Sequence, residues 1–358
     1  MKNYLIPLLG IICLCNFIPL SANAQNNTDE QNISRILAIA SHCANAHNTQ
    51  MWSVKMDAYN KISLYIDKSR SLPEIDPNNR ESLISIGAFI QNIIYVAEIY
   101  NFDSDVTIYN QEDLDKKLAE IELRKKEVKT KPRFSKKELL QRHTDKGSFS
   151  LDSINENTLT ELINEAPLNV KFYPVDSTVG NQIKKNLIEA NTKQAYNDKK
   201  QAELQKWMRI SWGENISSQD GITPKMLGLP LPARLITYTF FNKKIVMNKS
   251  FRESGIKKAK KQANNCAGFL VITTESSSSK NILKSGETLE TIWILANKKG
   301  LAIQPMSQIQ EEEPYRDEMN KILELNKPIS MILRIGYPIK KTSPSSKRRA
   351  TNKFLRTI

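Results

Sequence analysis

The chain has 358 residues, 40% of them hydrophobic, enough to bury a large core in two units or one large fused domain. Its 52 Lys and Arg against 38 Asp and Glu leave a net charge of +14, a balance that suits nucleic acid, an anionic membrane or a phosphorylated ligand. The lysines are spread among glutamates and no RNA- or DNA-binding motif occurs, so we expect no nucleic-acid partner. The charge reads instead as a solvated basic surface with one or two local anion sites.

Residues 1–24 read as a cleaved leader. Lys2 supplies the positive start, residues 5–20 form an apolar run broken by Pro7 and Pro19, and Ala22-Asn23-Ala24 is an A-x-A cleavage site. The mature chain is then expected to begin at Gln25 and to be exported, to a periplasm. The apolar run is shorter than the ~20 residues a bilayer span needs, and we expect no stable membrane anchor. Cys43 and Cys266 remain after cleavage; one disulfide is open to them and nothing requires it. His42 and His47 stand five apart, off the register of a helical zinc pair, and no metal-ligand spacing occurs.

An apolar-periodic helix over residues 33–40 runs into Ala40-Ser-His-Cys-Ala-Asn-Ala-His-Asn-Thr-Gln-Met-Trp52. There the helical pattern stops among small and polar residues, with Asn48 placed to be a left-handed cap. A helix ending in Asn45, His47, Asn48, Thr49 and Gln50 sets polar groups beside an apolar body, which suits a flat, polar-edged ligand. Residues 53–57 and 61–67 alternate as two strands around a tight loop. A turn-rich loop over 67–80 leads into a helix over 79–100, apolar almost all round and therefore expected to be buried. A short strand is expected at 106–109. The Lys/Glu-rich stretch 112–137 reads as an exposed helix with a boundary near 132.

Beyond that boundary we expect a capped helix at 155–165 and a strand at 169–173. A polar helical region follows over 180–212. Residues 217–234, rich in Gly, Pro and Ser, form a long irregular segment of the kind that serves as a lid or binding loop. A buried strand over 269–274, a helix over 279–299, a corner at 300–308, a helix over 314–325 and a strand over 329–337 come next. The tail from 338 is basic. Both parts run helix, polar break, strand, long buried helix, strand, the order of a diverged internal duplication.

These residues carry a resemblance. Ala-x-x-Ala-Pro-Ser-x-His-Asn-Thr-Gln-Pro-Trp followed by Asp-x-x-Arg-x-Leu-Pro-x-Asp-Pro-x-x-Arg is the pattern of nitroreductase-like FMN proteins of the Acg type. It stands here as Cys43-Ala44-Asn45-Ala46-His47-Asn48-Thr49-Gln50-Met51-Trp52, with Asp67, Arg70, Leu72, Pro73, Asp76, Pro77 and Arg80. Arg142-His-Thr144-Asp-Lys146 is similar to the start of a nitroreductase that cradles the FMN phosphate. Residues 300–308, Arg334-Ile-Gly-Tyr-Pro338 and Lys347-Arg348-Arg349 resemble that family's closing run.

The resemblance implies an α+β fold of three layers, mixed sheets flanked by helices, built as a fused pseudo-dimer. Residues 25–131 would be the first half and 132–358 the second, with a lid-like segment at about 213–234 and a basic tail. The first half has the helix-end motif without the phosphate motif and the second has the reverse, which implies one FMN between them. Arg142, Thr144 and Lys146 would hold the phosphate, with Arg348 or Arg349 closing the other side. Asn45, His47 and Asn48 would face the ring edge, and Gln304, Pro305, Met306 and Ser307 would line the opposite side. The pattern is departed from at Ala44, Asn45 and Met51, where the family has Pro, Ser and Pro. The implied activity is that of an FMN-dependent oxidoreductase, with NAD(P)H as a possible donor and a nitroaromatic- or quinone-like small molecule as acceptor. It would work as a monomeric pseudo-dimer or a homodimer, and no protein catalytic group is obligatory. A protein that holds flavin without turnover, and an exported module binding polyanions, are the alternatives.

Overall fold

The computed structural model describes residues 29–58 and 61–357; the expected leader and the loop residues Tyr59 and Asn60 lie outside the described residues. The chain opens with α1 (Asp29–Ala40), β1 (Trp52–Ala58), β2 (Lys61–Ile66), α2 (Arg80–Ile99), β3 (Phe102–Ile108) and β4 (Ala119–Lys125). It continues with α3 (Lys136–Gln141), α4 (Glu156–Asn164), β5 (Val170–Pro174), α5 (Thr178–Ala195), α6 (Asp198–Trp207), α7 (Trp212–Ser217), α8 (Leu231–Phe240) and α9 (Lys249–Asn264). β6 (Gly268–Thr273), α10 (Ser279–Lys298), β7 (Ala302–Pro305), α11 (Gln308–Glu311), α12 (Glu313–Ile322), β8 (Ile329–Gly336) and β9 (Leu355–Thr357) complete it. The architecture is α+β, with sheets flanked by helices. One sheet has the order β3-β4-β2-β1-β9 and the other β5-β6-β8-β7. The first is mixed because β9 runs parallel to β1, while the second is antiparallel throughout.

The core is centred on α2 against α10. α2 is apolar almost all round, and by length and composition alone it could cross a bilayer; here it is buried inside the protein. The two helix backbones meet at Gly87 and Gly286. A methyl group at Gly87 would stand 1.9 Å from the Leu283 carbonyl oxygen, and one at Gly286 would stand 2.1 Å from that of Ile84. Only glycine permits that approach. Tyr95 and Thr291 hydrogen-bond across the pair at 2.9 Å. Trp52 stacks on Phe89 with ring centroids 4.5 Å apart, and Phe354, just before β9, meets both rings edge-on.

Residues 112–137 do not form the expected helix. They contain β4, which pairs with both β2 and β3. Ala119, Ile121 and Leu123 are buried and alternate with Glu120, Glu122 and Arg124, a period of two that the charge run obscured. The polar helical region at 180–212 divides between α5 and α6 where the Asn197 side chain accepts from the Lys200 N–H and caps α6. Cys43 and Cys266 are free thiols buried in separate apolar clusters.

Candidate functional site

α1 ends at Ala40 because the next residues fold back: Ser41 donates to the Leu37 carbonyl and a tight turn follows at Ala46–Asn48. His47, Asn48 and Gln50 then take φ values of 49°, 53° and 54°, a left-handed conformation that side-chain-bearing residues seldom hold without support. The support comes from remote backbone. Asn48 Nδ2 donates to the Gly221 and Lys347 carbonyls at 3.1 and 3.2 Å, and Gly221 N–H returns a bond to Asn48 at 3.1 Å. Gln50 Nε2 reaches the Gln219 carbonyl at 2.9 Å. Asp220 pairs with both Arg70 and Arg209. The irregular segment around 219–222 is thereby pinned onto the helix end.

Beside this turn lies a cleft of about 420 Å³, within the ~300–1,000 Å³ range of small-molecule sites. Asn45, His47 and Asn48 form one wall. Arg142, Thr144 and Lys146 reach it from the stretch after α3, and Gln304, Pro305 and Ser307 from the end of β7. Arg348 lines it from the tail, and Ile222, Met226 and Leu227 from the segment before α8. Residues as far apart in sequence as Asn45 and Arg348 are thus brought together. Met306 and Arg349 do not line the cleft: Met306 is packed in the core beneath it, and Arg349 bonds to the Gln50 and Trp52 carbonyls and pairs with Asp67.

The cations divide into two kinds. Arg142 is buried and pairs with the fully buried Glu290, Nε to Oε1 at 3.0 Å. It also donates to the His42 carbonyl at 2.8 Å and lies over the Trp293 ring at 4.7 Å. Burial pushes the Glu290 carboxyl up, against the pull of Arg142. Arg348 caps α1, donating to the carbonyls of Ser41, His42 and Cys43 and to Asn48 Oδ1. These two guanidiniums serve the protein's own acceptors first.

Lys146 is different. Among the described residues its ammonium has no carboxylate partner, and burial together with the charge of Lys258 brings its pKa down to about 8. His47 Nδ1 is buried without a hydrogen-bond partner. Burial, then Lys146, hold that imidazole neutral with a pKa of about 4. Thr144 stands exposed in the same cleft. An unanswered ammonium, an orphaned ring nitrogen and a free hydroxyl fit an anionic, hydrogen-bonding ligand.

Three further features were not anticipated as parts of the site. Glu290 holds Arg142 and accepts the Ala44 N–H at 2.8 Å, joining the phosphate-like motif to the helix end. Arg334 is fully buried within β8. It donates to Gln304 Oε1 at 2.8 Å and to the Gly147 carbonyl at 2.7 Å, and lies over Phe149 at 3.9 Å. It fixes both the loop bearing Lys146 and the side chain of Gln304. In the sequence it is an arginine inside an apolar strand, at the head of the Arg334–Pro338 stretch that the resemblance singles out without giving it a role. Glu81 and Glu311 line the cleft as well; burial raises both, Glu81 to about 7.

No family model matches the chain. It is similar to the uncharacterized proteins Rv3127 and MT3212 of Mycobacterium tuberculosis strains H37Rv and CDC 1551, 19% identical over 312 residues, 85% of this chain and 86% of each relative. Among solved structures it is similar to the FMN-dependent nitroreductase NfnB of Mycobacterium smegmatis in complex with NADPH, at 13% identity and a TM-score of 0.36 over 55% of this chain and 84% of that one. A nitroreductase with bound FMN from Desulfitobacterium hafniense gives 9% identity and a TM-score of 0.37 over 58% and 91% of the two chains. One from Bacteroides fragilis, also with bound FMN, gives 12% and 0.34 over 57% and 91%.

Proposed function

We propose that the chain is an exported FMN-dependent oxidoreductase of the nitroreductase type, a fused pseudo-dimer with one flavin between its halves. The observation that carries this is the meeting of the Asn45–His47–Asn48 turn with Thr144 and Lys146 across one cleft, where the lysine and the imidazole lack partners. The mature start at Gln25, the division near residue 132 and the identity of the acceptor belong to the same reading.

The residues present fit the cofactor. Thr144 and Lys146 would hold the phosphate, with Arg142 and Arg348 adding positive potential from behind their own partners. Asn45, His47 and Asn48 would address the ring edge, and Gln304, Pro305 and Ser307 the opposite side. Bound FMN would supply hydride and electron transfer between a nicotinamide donor and a nitroaromatic- or quinone-like acceptor. The chain's own part is orientation and the exclusion of water, to which Ile222, Met226 and Leu227 contribute apolar surface.

A second reading, a protein that holds FMN without turnover, is favoured by one observation. The segment bearing those apolar residues is tied to the helix end by the bonds of Gln219, Asp220 and Gly221, which opposes entry of a second ligand. Mixing the mature chain with FMN and removing free flavin tests the shared claim: about one flavin per chain should remain. Thr144→Ala with Lys146→Ala should release it. Absence of retained flavin sinks both readings. Reduction by NADPH followed by re-oxidation with a nitroaromatic or quinone separates them.

A further inference from the structure

Among the helices, α8 is turned inside out. At 100° per residue, Leu231, Pro232, Leu235, Ile236, Thr239 and Phe240 share one arc, and all six are exposed. The half-buried side is Ala233, Arg234, Thr237 and Tyr238. No residue of α8 is buried. Leu231 is 58% exposed, Ile236 52% and Phe240 76%, and Phe241 and Trp212 add 44% and 47%. Trp212 packs on Tyr238 at 4.5 Å, which joins it to the helix. An apolar face of this kind marks an interaction surface.

The charge around it identifies the partner. Residues 221–252 contain Lys225, Arg234, Lys243, Lys244, Lys249 and Arg252 and no acidic residue. Lys243 and Arg252 pair with Glu214 and Asp198 from outside the stretch; among the described residues Lys225 and Lys244 have no ion pair. A second copy of the chain would set these cations against one another, which like-charge repulsion disfavours. An anionic bilayer meets both the apolar arc and the flanking cations. We propose that α8 is a peripheral docking surface for an anionic lipid membrane, with Leu231, Leu235, Ile236 and Phe240 entering the headgroup boundary. This needs no flavin and no membrane-spanning anchor. Met226 and Leu227, a few residues ahead of α8, line the cleft, so membrane contact and cleft wall share one stretch of backbone.

Sedimentation of the mature chain with phosphatidylcholine vesicles, with and without phosphatidylglycerol, tests the proposal. Binding is expected only with phosphatidylglycerol, and added salt should weaken it. Ile236→Ser with Phe240→Ser should abolish binding with an unchanged circular dichroism spectrum, because both side chains are exposed. Lys225→Ala with Lys244→Ala should weaken it by up to roughly 25-fold, about fivefold per charge. Failure to bind anionic vesicles, equal binding to both vesicle types, or undiminished binding of the double serine variant would each overturn it. So would a dimeric mass in solution that the same serine substitutions convert to monomer.

Discussion

Lys146 and Arg142 lie four positions apart and do different work. Arg142 is consumed by Glu290, a partner 148 positions away. Glu290→Gln should leave the guanidinium buried without its counter-charge and cost about 3–5 kcal/mol of stability, read from a denaturant midpoint. Lys146 keeps its charge for a ligand, and its pKa of about 8 sets the pH dependence. Affinity for FMN should fall as pH rises through that value, and Lys146→Met should bind weakly with a flatter profile. The effect on folding has the opposite sign. Between about 8 and the ordinary 10.5 the unfolded chain holds the proton more firmly, so this lysine's contribution to stability rises across that window. An unchanged pH profile in the variant would show that another group supplies the charge. Both positions were singled out by their resemblance to a nitroreductase phosphate motif, since residue type and spacing alone read as a basic linker; which of them was free was not legible, because Glu290 has no local signal.

At the level of elements, α2 and α10 depend on contact between glycines. Gly87→Ala or Gly286→Ala puts a methyl group about 2 Å from a carbonyl oxygen of the opposite helix, where no flexible side chain can yield. Each should cost at least about 3 kcal/mol, the upper end of ordinary overpacking, as a lowered unfolding midpoint. Glu287 on α10 is raised by burial to about 7. The folded state therefore binds its proton where the unfolded state does not, from the ordinary 4.5 up to about 7. Its contribution to stability falls as pH rises through that window, and Glu287→Gln should flatten the slope in urea titrations at successive pH values. The apolar run of α2 announced burial, whereas the crossing at Gly87 and Gly286 did not, since neither sequence specifies the other as its neighbour. β4 was hidden because Glu and Lys dominate its composition while Ala119, Ile121 and Leu123 carry its period.

Across the whole molecule, the C-terminal tail closes the first sheet. β9 lies parallel to β1, Phe354 packs on Trp52 and Phe89, and Arg348 and Arg349 bond to the backbone on either side of the helix-end turn. Phe354→Ala should cost about 3–5 kcal/mol, as for other buried aromatics, and Arg348→Ala should loosen the left-handed turn and reduce FMN retention. Retention unchanged in Arg348→Ala would show that the turn holds without its tail. A polar, basic tail gives no sign of such a role, since a cation's partners here are carbonyl groups, which every residue carries.

Locally encoded features were determined by the sequence itself. The order of most helices and strands, the burial of α2 and the polar helix end at Asn45–Gln50 follow from periodicity, capping and residue type over short stretches. Tertiary structure decided the rest: that Arg142 is paired and Lys146 free, that Arg348 caps α1, that β9 crosses to the first sheet, and that α8 turns its apolar arc outward. Each depends on which groups meet across large sequence separations, where desolvation and pairing fix the outcome and no local pattern records it.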